Sequence, residues 1–326
     1  MSNIRKIAVF VIFIVVFLSP VFAEEKQSGF RFSVTPSVGV INGQANEIVY
    51  KDSYSGMFES ELQWDMKPII YAGLAADLGP ANSFAKHGFV GNLSFKFGIP
   101  QRAGIMEDRD WQYENSGALT NYSRHDNFSE RTITADLTLG YSFPLLNFMA
   151  LGLNLDFSYT HFYWIAKNGY YQYLEQDDFG NILPGQTWTD DIQKVPMKGK
   201  LIEYSQNWFI FSPGVFIKLR LGTLFSLNGN FNYSPFIYCA DRDEHLLRNT
   251  TFLDYLYYGH YLKGSGGITF SPLDYLDLTL FLSYSSITDS RGDTYINSVK
   301  YSGIAGGGYA AFELGFSARF RFFGGR

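Results

Sequence analysis

Cysteine is almost absent from this chain of 326 residues, where Cys239 stands alone. A single thiol excludes an internal disulfide and any multi-cysteine metal site. Charge is scarce too: Asp, Glu, Lys and Arg make up 17% of the residues, against about 25% in ordinary soluble domains. Helical periodicity does not persist beyond the N-terminal region. After residue 23, no apolar run reaches the roughly twenty residues that a spanning helix needs. What remains is a soluble β protein or a barrel that crosses a membrane with its strands.

What is abundant favours the barrel. Aromatics reach 18%, with 23 Tyr and 31 Phe, and the mean hydropathy is -0.08. Aromatic girdles at two interfaces, and lumen-facing polar residues that cancel lipid-facing apolar ones, account for both. A soluble β-sandwich would leave the aromatic excess unexplained.

The N-terminus has the layout of a secretory signal. Arg5 and Lys6 precede the apolar run Ala8 to Leu18, Pro20 breaks it, and Val21-Phe22-Ala23 places a small residue before a polar start. Cleavage after Ala23 is expected. The competing reading, a retained anchor, needs a longer apolar core. The expected organisation is a signal peptide over residues 1–23 and one β-barrel domain over 24–326. Losing Arg5 and Lys6 takes the net charge from -5 to -7, which argues against nucleic acid and favours cationic partners.

Apolar and polar residues alternate in several stretches. Phe30 to Thr35, Phe89 to Phe97, Ile133 to Tyr141, Leu276 to Leu282 and Leu314 to Phe320 are the clearest. Period two turns one face to lipid and the other to a polar interior. Short connections carry turn chemistry, as in Pro144-Leu145-Leu146-Asn147 and Ser271-Pro272-Leu273-Asp274. Long polar and aromatic segments, Asp110 to Glu130, Asn168 to Gln193 and Asp289 to Gly308, read as loops on the other side. About ten antiparallel strands are expected. The aromatic ending Phe320-Arg321-Phe322-Phe323 fits a barrel, although Gly324-Gly325-Arg326 follows it.

Chemistry concentrates in two acidic clusters, Met106-Glu107-Asp108-Arg109-Asp110-Trp111 and Asp241-Arg242-Asp243-Glu244-His245. Residues two apart on a strand share a face. Asp108 and Asp110 therefore point together, as do Asp241, Asp243 and His245. The opposite face carries Glu107, Arg109, Arg242 and Glu244, which would cost about 2 to 4 kcal/mol each near the midplane of a bilayer. Both clusters must then stand at the rim, in water. Asp243 can hold one nitrogen of His245 so that the other takes a proton from water. Asp108 and Asp110 can hold that water, and two close carboxylates resist joint ionisation. A solvated charged rim without chemistry remains open on spacing alone. A metal site is less favoured, with only one histidine in the cluster.

On these segments the chain resembles the omptins, outer-membrane endopeptidases with a ten-stranded barrel. Gly104 to Trp111, with Ser123-Arg124-His125 after it, looks like the family segment carrying an aspartate couple. Asp241 to His245 looks like the one carrying an Asp–His pair. Weaker similarity runs through Asn42-Gly43, Glu47 to Tyr50, Ser60 to Trp64 and Ser271-Pro272. The resemblance implies an outer-membrane endopeptidase of a Gram-negative-type bacterium with its active site facing outward. Asp108, Asp110, Asp243 and His245 would be catalytic. Glu47 and Asp241, with Met106 near them, would line a pocket for a basic residue before the scissile bond. Substrates would be peptides or proteins with basic residues, and the protein a monomer without a metal or other cofactor.

One departure concerns lipopolysaccharide, which family members need for activity. Tyr159 stands where an acid is expected, His161 where an arginine is, and the second arginine falls near Asn207, so the lipid phosphate site looks weakened. His87, His161 and His260 read as interface or loop residues. Ser60 and Ser123 lack an evident base partner and read as structural. Cys239 shares a face with Asp241, but six residues of strand, roughly 20 Å, separate it from His245; it reads as a packed thiol. The competing functions are an adhesin or binding barrel with an acidic rim, a pore, and a barrel lipase for which no serine or calcium site is evident.

Overall fold

The computed structural model describes residues 30–54, 56–113, 117–177 and 182–322. The expected signal peptide and the end of the chain from Phe323 lie outside these. Eleven strands follow one another: β1 (Phe30–Tyr50), β2 (Phe58–Pro80), β3 (Gly88–Gly98), β4 (Gln101–Asp110), β5 (Asn121–Leu146), β6 (Met149–Tyr173), β7 (Val195–Leu221), β8 (Phe225–His245), β9 (Thr250–Leu273), β10 (Leu276–Ile296) and β11 (Val299–Arg321). All described pairings are antiparallel, and β1 pairs with both β2 and β11, which closes the sheet into a barrel. Strands β3 and β4 are two halves of one wall position. Both lie between β2 and β5, β3 lower and β4 higher. Pro100, without an N–H to give the ladder, stands at the break. The wall thus has ten strand positions, in keeping with the expectation of about ten strands.

The lower wall carries an apolar outer face. Phe89, Leu139, Leu153, Val215, Phe231, Leu280 and Leu314 all project outward and stay exposed, Leu153 at 61%. Above it comes an aromatic belt in which Tyr159, Phe209, Tyr238 and Tyr257 lie side by side, with ring centroids 5.0 to 6.3 Å apart. Higher still the outer face is charged: Arg109 pairs with Glu107 at 2.6 Å, Arg242 with Glu244, and Lys200 with Glu203. This order of lipid face, aromatic belt and ionic collar belongs to a barrel that stands out of its membrane.

The loop expectations need correction. β5 begins at Asn121 and β6 runs to Tyr173, so the connections above them shorten to 111–120 and 174–194. The segment Asp289 to Gly308 is no loop: β10 and β11 meet in a tight turn at Asn297 and Ser298, with φ of 46° and 75°. Above the membrane both strand faces meet water, so the alternation fades although the pairing continues.

Inside, the barrel is filled in layers. Trp64 stacks on Trp164 and Tyr204 at 5.9 and 5.3 Å, and Phe162, Trp208 and Tyr309 complete an aromatic floor. Below it lies an ionic layer in which Lys96 grips both oxygens of Glu313 at 2.6 and 2.7 Å and Lys263 lies between Asp136 and Asp156. A cavity of about 820 Å³ opens beneath, toward the short turns. Among the described residues, these two layers fill the barrel interior above that cavity. In planar bilayers the refolded protein is expected to give no stable conductance step; a steady open level would mean that the floor does not seal.

Candidate functional site

Two irregularities in the ladder turn the acidic clusters inward. On β4 the pairing with β5 slips between Arg102 and Ile105, and Gly104 at the slip has φ of 105°. A side chain would strain that backbone, and its Cβ would come within 2.7 Å of Asp65. After the slip Met106, Asp108 and Asp110 are all buried in the barrel. On β8 the pairing with β9 slips around Phe236. Below it the even residues Asn232 and Ser234 face inward; above it the odd residues Cys239, Asp241 and Asp243 do. Pro235 removes an N–H, and the Ser234 hydroxyl accepts a hydrogen bond from the Phe236 N–H at 2.9 Å. Without this bulge, Asp241, Asp243 and His245 would point outward.

The catalytic candidates of the sequence come together above the aromatic floor. His245 Nε2 lies 2.6 Å from Asp243 Oδ2, which leaves Nδ1 as the second ring nitrogen. Asn121 donates to Asp110 Oδ2 at 3.2 Å, while Asp108 Oδ1 and Asp243 Oδ1 are buried without a hydrogen-bond partner among the described residues. Burial pushes the Asp108 carboxyl up to about 7, with Asp110 adding to the rise and His245 and Arg248 opposing it. For His245, burial works toward a lower pKa, but the carboxylates of Asp243 and Asp108 outweigh it and the net shift is upward. Asp108 and His245, from different walls, thus each alter the other's proton affinity.

Deeper on the same side lie Glu47 and Asp241, both almost fully buried. Tyr204 donates to Asp241 Oδ2 at 3.3 Å, and Gln206 donates to the Tyr204 oxygen at 2.8 Å and to the Asn46 carbonyl at 3.0 Å. Burial raises Glu47 and Asp241 well above the carboxylate range. Asp243 is the largest charge acting on Glu47, and Asp254 the largest on Asp241. Met106 is register partner to Trp64 and fully buried in the floor.

Two polar groups here have no forerunner in the sequence reading. Asp254, fully buried on β9, is the register partner of Asp241. Arg248, in the turn between β8 and β9, donates to the Tyr173 hydroxyl at 3.3 Å and acts electrostatically on both Asp108 and Asp110. Counting back from that turn would have paired residue 254 with 241.

The view of Ser123 as lacking a base partner is corrected. Its oxygen lies 2.9 Å from His125 Nε2, and His125 Nδ1 lies 2.6 Å from the Asn168 carbonyl. A carbonyl can only accept, so Nδ1 carries the proton and Ser123 donates to Nε2. Burial lowers the pKa of His125, keeping the ring neutral. The signal available in the sequence was a serine and a histidine two residues apart, which becomes a shared face only once Asn121 to Leu146 is a strand rather than the expected loop. Ser60 faces Asp110 across the ladder. His87 and His260 pair with Tyr141 and Tyr233 outside the site. Tyr159, His161 and Asn207 form a neutral hydrogen-bonded group on the outer wall, both partners meeting Asn207 Oδ1 at 3.0 and 2.9 Å. Cys239 is packed into the core.

A ten-position barrel with a lipid face, an ionic collar and a polar site above a sealed floor defines an outer-membrane β-barrel protein. The sequence profile of the Omptin family matches residues 29–311, and the chain belongs to that family. The plasminogen activator of Yersinia pestis is 27% identical over 81% of this chain and 78% of its own length. Outer membrane protease OmpP of Escherichia coli strain K12 is 26% identical over 81% of this chain and 80% of its own. The crystal structure of outer membrane protease OmpT from Escherichia coli superposes with a TM-score of 0.78 at 20% identity, covering 92% of this chain and all of that one. The fold is therefore that of an outer-membrane protease barrel.

Proposed function

We propose that this barrel is an endopeptidase that cleaves peptides and proteins after a basic residue, outside the cell, with a water as nucleophile. The observation that carries this reading is that Asp108 and the Asp243–His245 pair face one interior space from different walls, with Asp108 and His245 acting electrostatically on each other. A water between them gives one proton to His245 Nδ1 as its oxygen bonds to the scissile carbonyl carbon. Asp243 holds the ring and stabilises the imidazolium. The C–N bond then breaks, and the imidazolium returns the proton to the leaving amine. Asp108 and Asp110 orient the water. Arg248 keeps their combined charge tolerable.

Glu47 and Asp241 supply the pocket for the basic side chain, which charge-assisted bonds would grip. Digestion of a peptide library by the refolded protein is the experiment that tests the function. Cuts clustered after Arg or Lys are expected; no cuts, or cuts indifferent to charge, would refute it. Glu47→Gln is expected to raise KM on an Arg-Arg peptide about tenfold, roughly 1.4 kcal/mol, with kcat little affected. An unaltered KM and preference would remove Glu47 from the pocket.

A serine mechanism has one observation behind it, the Ser123–His125 hydrogen bond. Ser123→Ala discriminates: loss of all turnover together with labelling of Ser123 by a fluorophosphonate would replace the water by that serine. The outer-wall group of Tyr159, His161 and Asn207 offers no cation of its own to a lipid phosphate, so dependence of activity on lipopolysaccharide is proposed to be weak.

A further inference from the structure

The pocket contains one acid more than a single basic side chain with two carboxylate partners requires. Asp254 is completely buried and lies beside Asp241 in the β8–β9 ladder; among the described residues neither of its carboxylate oxygens meets hydrogen-bond geometry with a partner, while the Thr294 hydroxyl acts on it from β10. Glu47 Oε2 and Asp241 Oδ1 are equally buried and have no hydrogen-bond partner among the described residues. Among the described residues, none of the three acids forms an ion pair with a lysine or arginine. The three come from different places on the wall: Glu47 from β1, Asp241 from β8, Asp254 from β9. They converge because β11, between β1 and β10, carries Gly306-Gly307-Gly308 at this height. A Cβ on Gly307 would stand 3.0 Å from the Asn46 carbonyl and 3.3 Å from Leu256.

We propose that Asp254 is a specificity-determining residue, the third carboxylate of a pocket built for a guanidinium in preference to an ammonium. This rests on the reading of the site as a protease that accepts a basic side chain. The guanidinium has five N–H donors fixed in a planar fork, so it can address acids on three walls at once. It is also weakly hydrated and loses little on entering a dry pocket. An ammonium is a strongly hydrated point charge that would give up its water shell for partners it cannot all reach. The height is suitable. Asp241 and Asp254 lie two strand residues, roughly 7 Å, below Asp243 and so below the reacting atoms.

Other groups acting with Asp254 are Asp241, Asp243 and Cys239 on β8, Glu47 on β1 and Thr294 on β10; burial, with the charge of Asp243, pushes its carboxyl up to about 7 against a hydrogen bond from Thr294. Three acids in one pocket cannot all be ionised when it is empty. Entry of a guanidinium favours their charged forms, so binding releases a proton to solvent near neutral pH.

The test uses the refolded full barrel and its Asp254→Asn and Asp254→Ser variants, with heat-modifiable migration as the check on folding. Peptides identical except for Arg, Lys or citrulline before the scissile bond read the specificity. In wild type Arg is expected to exceed Lys at least tenfold in kcat/KM. In either variant that ratio falls about tenfold, with the loss in KM, and Asp254→Glu recovers part of it. Calorimetry with agmatine, a bare guanidinium, reads the same pocket without turnover: wild type binds with proton release, and Asp254→Asn binds about tenfold more weakly with less. An unchanged Arg-to-Lys ratio and equal agmatine affinity in a folded variant would overturn the proposal. A wild type that binds agmatine through Asp254 yet cleaves no peptide would instead refute the protease reading and leave the pocket assignment standing.

Discussion

His245→Ala is expected to lower kcat/KM on an Arg-Arg peptide by about a thousandfold to ten-thousandfold, the usual worth of a positioned base. The ring lies 2.6 Å from Asp243 and faces the Asp108 side of the barrel, so its loss leaves the attacking water without an acceptor for its proton. The folded barrel should survive. His245 sits at the end of β8, above the aromatic floor, and contributes no strand pairing that alanine cannot make. Heat-modifiable migration should be the same as in wild type, which separates a lost base from a lost fold. Residual activity within tenfold of wild type would exclude the imidazole as the base.

The second large effect concerns pH. The base works only as neutral imidazole, and the carboxylates of Asp243 and Asp108 hold its pKa above the ordinary histidine value of 6.5 against the effect of burial. Asp108 itself is pushed up to about 7. On falling pH, His245 takes up a proton first where its raised pKa lies, and the base is lost. Thus kcat/KM is expected to rise with pH through the neutral range, level off on the alkaline side, and fall about tenfold per pH unit on the acid limb. Asp243→Asn removes the main group that raises the pKa, so the acid limb should move to lower pH while the maximum rate drops. An acid limb that stays in place in that variant would assign it to a different group.

The fold was largely legible because a spanning barrel must alternate wherever it touches lipid. Phe89 to Phe97 and Leu276 to Leu282 are strands for that reason. Alternation stops being informative above the membrane, where Asp289 to Gly308 reads as a loop although it is a hairpin. Shared faces within each acidic cluster followed from spacing, but the direction of those faces did not. It depends on the slips at Gly104 and at Ser234-Pro235-Phe236, and a one-residue shift of register turns every later side chain to the other face. Asp254 escaped notice since Leu253 and Tyr255 flank it with no other acid nearby, and only the hairpin register brings it to Asp241. Arg248 has no spacing that ties it to Asp108 and Asp110, on which it acts across the barrel from the β8–β9 turn. Ser123 and His125 stay unpaired in the sequence because Asp110 to Glu130 reads as a loop; only β5 puts them two apart on one face, and the carbonyl of Asn168 that fixes the tautomer comes from β6 and leaves no local trace.

A double-mutant cycle tests the central claim most directly: that the Asp108 wall and the His245 wall act on one water. The measurement is kcat/KM for wild type, Asp108→Ala, His245→Ala and the double variant, all folded in the same detergent. If the two side chains serve one nucleophile, either single loss removes nearly the whole contribution and the double variant is scarcely slower than the worse single one. Losses that multiply, each variant slowing the other by its full factor, would mean the two residues act independently and would contradict the shared site.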